Sequence, residues 1–132
     1  MAMEKSQPGI GLTDLRKAAK RKDWDLVDAQ LSVVANDSAT LRWSLNSGLR
    51  SSNAQLRDLA VSVLERTAEE LKPKVTKRLL TMFDDSNPYV GFRSAFALFS
   101  HGDRSPKVLE KIREAVGDEE VREIAEGYLA QL

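Results

Sequence analysis

The chain has 132 residues with 20 basic and 20 acidic side chains, so its formal net charge is zero. That balance argues against a general polyanion binder. The absence of cysteine excludes disulfides, thiolate nucleophiles and cysteine zinc sites, and it fits a reducing compartment. No apolar run approaches the roughly 18 residues that a membrane helix needs, and the start of the chain lacks the apolar stretch of a signal peptide. We therefore expect a cytoplasmic protein without membrane association.

Residues 1–12 are predicted to form a polar N-terminal lead, and residues 13–132 a single domain. Apolar residues recur at helical spacing throughout that domain, as in the series Leu41, Leu45 and Leu49, and no long segment alternates with period two. Local start and stop signals divide the domain into eight helices. In chain order, the predicted helices cover 13–22, 24–36, 38–50, 54–71, 73–83, 88–101, 106–116 and 119–132. Short linkers favour antiparallel hairpins, each made of a first and a second helix.

The boundaries of these helices rest on three kinds of residue. Short polar side chains suit the N-cap position, and the predicted caps are Thr13, Asp23, Ser38, Asn53, Asn87 and Asp118. Proline suits the first helical turn, and three helices are predicted to begin there, at Pro73, Pro88 and Pro106. Glycine suits a helix end, which predicts stops at Gly102 and Gly117.

Internal repetition is the strongest signal in the chain. The strings that begin at Asn53, Asn87 and Asp118 are NAQLRDLAVSVL, NPYVGFRSAFAL and DEEVREIAEGYL. Each has an apolar fourth position, a small eighth position and a leucine at the twelfth, and arginine stands fifth in two of the three. A weaker copy begins at Asp23, so the copies recur roughly every 30 residues. This period predicts helix pairs that bury their apolar stripes against one another.

The three strings resemble the HEAT-like repeat family, including the shorter repeats found in phycocyanobilin lyases. The resemblance rests on the Asp or Asn turn, the following Val-Arg, the small residue and the leucine, and it covers roughly residues 23–132. Gly91 and Val27 depart from the arginine of the pattern. The resemblance implies an all-α fold, an α-solenoid of about four antiparallel helix pairs in a HEAT-like superhelix. It also implies that the second helices line a concave face, and it says almost nothing about function.

Charge is sorted by helix. The first helices are basic, with Arg16, Lys17 and Lys20 on the first of them, and most second helices are acidic. Alternating charge of this kind often serves only solubility and attraction between neighbouring helices, because exposed ion pairs are worth about 0–1 kcal/mol each. The functional alternatives are an acidic groove for a basic segment of a protein, or a basic outer face for nucleic acid, whose binding would depend steeply on salt.

The third repeat carries a row of aromatic residues. Helical wheels place the third, sixth, tenth and thirteenth positions of each second helix opposite its core. In three copies these positions are mostly polar or small, and in the third copy they are Tyr89, Phe92, Phe96 and Phe99. We predict a contact site for a protein or a second copy of the chain there, with an acidic rim formed by Asp58, Glu65, Glu120 and Glu123. The alternative is that the rings fill the core of a rotated helix pair.

No catalytic constellation stands out. His101 is the one histidine and suits the C-terminal end of a helix, and no paired metal-binding motif or glycine-rich phosphate loop occurs. The predicted function is a non-catalytic scaffold that binds a basic or amphipathic segment of a partner on the second-helix face, without metal or cofactor. Nucleic-acid binding through the first helices is the less favoured alternative, followed by an accessory subunit of an enzyme such as a chromophore lyase.

Overall fold

The computed structural model describes residues 11–132, so most of the predicted N-terminal lead lies outside the described residues. In this part of the chain there are eight α-helices and no strand, which confirms the all-α prediction. The helices are α1 (Leu12–Lys20), α2 (Trp24–Val34), α3 (Ser38–Asn46), α4 (Ala54–Arg66), α5 (Pro73–Thr81), α6 (Pro88–Ser100), α7 (Pro106–Ala115) and α8 (Arg122–Leu129). Short 3₁₀ turns follow α3 at Gly48–Arg50 and α5 at Met82–Asp84.

The predicted N-caps are correct for α2, α4 and α6 and wrong for three other helices. The N-cap of α8 is Val121 rather than Asp118, and this helix begins at Arg122. The N-cap of α1 is Gly11 rather than Thr13. The N-cap of α3 is Asp37 rather than Ser38, because the Asp37 carboxylate accepts hydrogen bonds from both the N–H and the hydroxyl of Thr40 at 3.0 Å. These bonds to Thr40 hold the pKa of Asp37 below its usual value.

Helix α4 ends at Arg66, five residues before its predicted end at Leu71. The chain turns to extended backbone at Thr67. The Thr67 hydroxyl and the Ala68 N–H then donate to the side-chain oxygen of Asn36 at 3.0 and 2.8 Å. The side-chain amide of Asn36, far earlier in the chain, therefore accepts hydrogen bonds from Thr67 and Ala68. The helical periodicity alone had assigned these two residues to α4.

The described residues fall into two compact units that divide after Ala68. In the first unit, α1, α2 and α4 contact one another, and α3 packs on α4. Its buried core is formed by Leu15, Ala18, Ala19, Val27, Leu31, Val34, Leu59 and Val63. Trp24 and Trp43 pack against this core as partly buried residues, as expected of tryptophans that serve packing. The prediction of one domain over residues 13–132 stays a prediction.

In the second unit, α6 is the central helix. It contacts α5 and the 3₁₀ turn before it, and also α7 and α8. Fully buried apolar side chains reach this core from three helices, with Leu79 on α5, Val90 on α6 and Ile112 on α7. The small residues at the eighth repeat position, Ser94 and Ala125, are also fully buried, as the repeat predicts.

Two copies of the repeat share one local geometry at the start of the second helix. The Arg57 guanidinium donates to the Ser51 carbonyl at 2.9 Å, and the Arg122 guanidinium donates to the Val116 carbonyl at 2.8 Å; each acceptor lies six residues before its arginine. At the same position, α6 has Gly91, where a Cβ atom would lie 2.8 Å from the Phe83 carbonyl oxygen. The departure from arginine thus has a local cause, since the backbone of the preceding 3₁₀ turn occupies the space.

Candidate protein-binding surface

The aromatic row of α6 is mostly core, which corrects the prediction of an exposed contact site at three of its four positions. Phe92, Phe96 and Phe99 are 6%, 0% and 1% exposed. The Tyr128 ring of α8 covers two of them, because it stacks on Phe96 and meets Phe99 edge-on, with centroid distances of 5.3 Å in both pairs. Aromatic pairs at this spacing stabilise the fold by more than the burial of their apolar area alone would give.

Cationic side chains cover the same rings from other sides. The Arg104 guanidinium lies 3.4 Å from the Phe99 ring centroid and donates to the Phe99 carbonyl at 2.6 Å. The Lys111 ammonium lies 5.1 Å from the Phe92 ring centroid and pairs with Glu114 at 3.2 Å. These contacts are cation–π interactions within the second unit. The three phenylalanines are therefore sequestered by this unit and do not face a partner.

Tyr89, the first residue of the row, differs from the other three because it is only half-buried. Burial raises the pKa of Tyr89 above its ordinary value, and the negative charges of Asp118 and Glu120 raise it further. Those two carboxylates therefore lie close enough to the phenol to act on it. Glu120, a predicted rim residue, is thus one of the charges that act on Tyr89, and the other is Asp118, which the sequence indicated only as a helix cap.

The other predicted rim residues have different environments. On α4, in the first unit, Asp58 is buried at 6% exposure and Glu65 is half-buried. On α8, in the second unit, Glu123 is exposed. The burial of Asp58 corrects its assignment to a solvent-facing rim, because a residue on the far side of its own helical wheel is still covered when other elements pack there.

An acidic surface remains at the start of α8 and along its exposed side. We call it the α8 acidic surface, and it consists of Tyr89, Asp118, Glu119, Glu120, Glu123 and Glu126. None of its four glutamates forms an ion pair with another side chain within residues 11–132. The run GDEE that precedes α8 was the sequence signal for the added residue Asp118. With five carboxylates and the single cation Arg122 among residues 118–126, this surface carries a net negative charge.

A second charged surface lies in the first unit. A cleft of about 300 Å³ opens between α1 and the first turn of α4, and it is lined by Thr13, Arg16, Lys17, Lys20 and Leu56. We call it the α1 basic cleft. The Arg16 guanidinium lies 5.7 Å from the Trp43 ring centroid. This cation–π contact holds one of the three cations of the cleft against the protein.

Comparison of the chain with protein-family models, with curated proteins and with solved structures finds no match. Across residues 11–132, none of the helices has the length and apolar character needed to cross a membrane. The same residues contain no group of three or more histidine or carboxylate side chains arranged to hold a metal ion.

Proposed function

We propose that the chain is a non-catalytic scaffold with a HEAT-like solenoid of about four antiparallel helix pairs, which binds a basic or amphipathic segment of a protein partner on its second helices. The observation that carries this proposal is the α8 acidic surface, where four glutamates are exposed and the charges of Asp118 and Glu120 act on a half-buried tyrosine. The proposal moves the binding site away from the aromatic row of α6 and keeps Tyr89, Glu120 and Glu123 as its central residues.

The repeated architecture is supported by hydrogen bonds as well as by sequence. Arg57 and Arg122 make the same bond to a carbonyl six residues earlier. In the two copies before α4 and α6, the N–H of the capping asparagine also donates to a side chain two residues earlier, Ser51 in one and Asp85 in the other. Equivalent bonds at equivalent positions support the view that these segments are copies of one structural unit.

The chemistry of the α8 acidic surface favours a basic ligand. A lysine or arginine side chain can lie over the Tyr89 ring while its charge faces Asp118 and Glu120, which combines a cation–π contact with charge attraction. Exposed pairs contribute about 0.2–1 kcal/mol each, so affinity should come from several contacts together and should fall as salt rises.

The direct experiment measures binding of a fluorescently labelled amphipathic peptide of lysine and leucine by anisotropy at low and moderate salt. We expect binding that weakens with salt, and a loss of about tenfold in affinity when Glu120→Lys and Glu123→Lys are combined. The control combines Asp14→Lys and Glu110→Lys, which make the same charge change at exposed positions of α1 and α7. Equal weakening by both double variants, or no binding at low salt, would contradict the proposal.

A further inference from the structure

The charge and the concave shape of the α1 basic cleft both suit it to bind a ligand. Its rim is formed by Arg16, Lys17 and Lys20, and the half-buried Leu56 gives it an apolar part. Lys17 and Lys20 are exposed, and neither pairs with a carboxylate among the residues that the structure describes. An apolar contact point next to two unpaired lysines suits an acidic amphipathic helix, because such a helix can supply both an apolar side chain for Leu56 and negative charges for the lysines.

Helix α8 has this complementary character. Four exposed glutamates without an ion-pair partner lie at its start and along its outer side, and Ile124 is a large apolar residue that is 39% exposed. A Cβ atom added at Gly127 would meet nothing within 4 Å. The helix therefore presents an open backbone at Gly127, which another surface can approach closely, beside Ile124 and the glutamates.

We infer that the chain associates head to tail with a second copy of itself, the α8 acidic surface of one copy docking in the α1 basic cleft of the next. The inference rests on the proposed function and names the basic partner for its acidic surface. The choice of this occupant rests on charge complementarity, since three cations line the α1 basic cleft and five carboxylates belong to the α8 acidic surface.

A contact between two different surfaces does not close on itself in the way that a two-fold dimer does. Unless the rotation between copies closes a ring, each added copy leaves one free cleft and one free acidic surface, and further copies can join. We therefore expect the sedimentation coefficient to rise continuously with protein concentration at low salt. Added salt should reverse the rise, because exposed charges more than a few ångströms apart are screened at high ionic strength.

Charge reversal tests the pairing. Lys17→Glu with Lys20→Glu should give a monomer, and Glu123→Lys with Glu126→Lys should also give a monomer. Mixing these two variants, or placing all four changes in one chain, should restore association, because opposite charges then face each other again. The matched control is Lys74→Glu with Lys77→Glu, which changes the charge of exposed residues on α5 by the same amount and should leave association unchanged.

Three results would overturn the inference. The first is a monomeric wild-type chain at every concentration in low salt, and the second is association that the reversals do not affect or that the fourfold variant does not recover. The third is a nucleic-acid probe that binds through Lys17 and Lys20 while the chain stays monomeric, which would assign the cleft to a polyanion. The lysine–leucine peptide separates this failure from that of the proposed function, because a monomeric chain that still binds the peptide through Glu120 and Glu123 overturns the self-pairing alone.

Discussion

Helices α6 and α8 carry the same repeat motif and have opposite exposure. Both place a small, fully buried residue at the eighth position, Ser94 in α6 and Ala125 in α8. Most of α6 is buried, whereas Ala125 is the one buried residue of α8. The motif therefore determines which side of a second helix faces the other helix of its pair. Neighbouring helices determine whether the opposite side is covered.

The largest expected effect is a difference in unfolding free energy between a variant of α6 and a variant of α8. Phe96→Ala removes a fully buried ring that stacks on Tyr128, so the free energy of unfolding should fall by about 3–5 kcal/mol. Glu123→Ala on the exposed side of α8 should change it by no more than about 0.5 kcal/mol. Urea unfolding followed by circular dichroism measures both. A change below about 1 kcal/mol for Phe96→Ala would place this ring outside the core.

A smaller effect compares two glycines in the same helices. In Gly91→Ala the new Cβ would lie 2.8 Å from the Phe83 carbonyl oxygen, so the substitution should destabilise the protein by about 1–3 kcal/mol through a forced backbone shift. Gly127→Ala meets nothing within 4 Å and should stabilise the protein by about 0.5–1 kcal/mol, because alanine favours the helix. Thermal unfolding of the two variants should therefore move the midpoint in opposite directions. A midpoint that does not fall in Gly91→Ala would show that the close approach at Gly91 does not occur.

The smallest effect concerns the pKa of Tyr89. Glu120→Gln removes one of the negative charges that oppose ionisation of the phenol, so the pKa of Tyr89 should fall toward its ordinary value of 10.0. A titration of the Tyr89 ring carbon by NMR follows this change. Glu123→Gln is the control and should leave the pKa in place, since Glu123 is not among the charges that act on the phenol. The reverse result would move the centre of the α8 acidic surface away from Glu120.

The same shift has a consequence for stability. Above pH 10.0 the unfolded chain loses the Tyr89 proton before the folded chain does, so the unfolding free energy should fall with rising pH until the folded group also ionises. Glu120→Gln should narrow the pH range over which the unfolding free energy falls, because it brings the pKa of Tyr89 in the folded chain closer to that in the unfolded chain.

Helix starts and ends could be predicted wherever a single residue restricts the backbone conformation. Pro73, Pro88 and Pro106 begin their helices as predicted, and Gly102 follows α6 with a φ of 97°, in the left-handed region that favours glycine. Lys22 takes an equivalent position after α1 with a φ of 63°, and no glycine signalled it. The end of α4 could not be predicted because Asn36, far away in sequence, binds the segment after it.

The candidate site could likewise be predicted in part from the sequence. The acidic character of α8 could be predicted, because the glutamates that follow Gly117 are adjacent in the chain. The aromatic row of α6 was identified correctly as a group and assigned to the wrong environment at Phe92, Phe96 and Phe99. Helical periodicity gives the angle between residues on one helix and contains no information on how many other helices surround it.

The helical class of this protein, the recurrence of its turns and the sorting of charge between helices could be inferred from the amino-acid sequence, because they depend on residues close together in the chain. Which helix faces stay exposed to solvent depends on the tertiary structure. Burial depends on Tyr128, Arg104 and Lys111 meeting α6 across the second unit, and such meetings between separate segments are a property of packing rather than of local pattern.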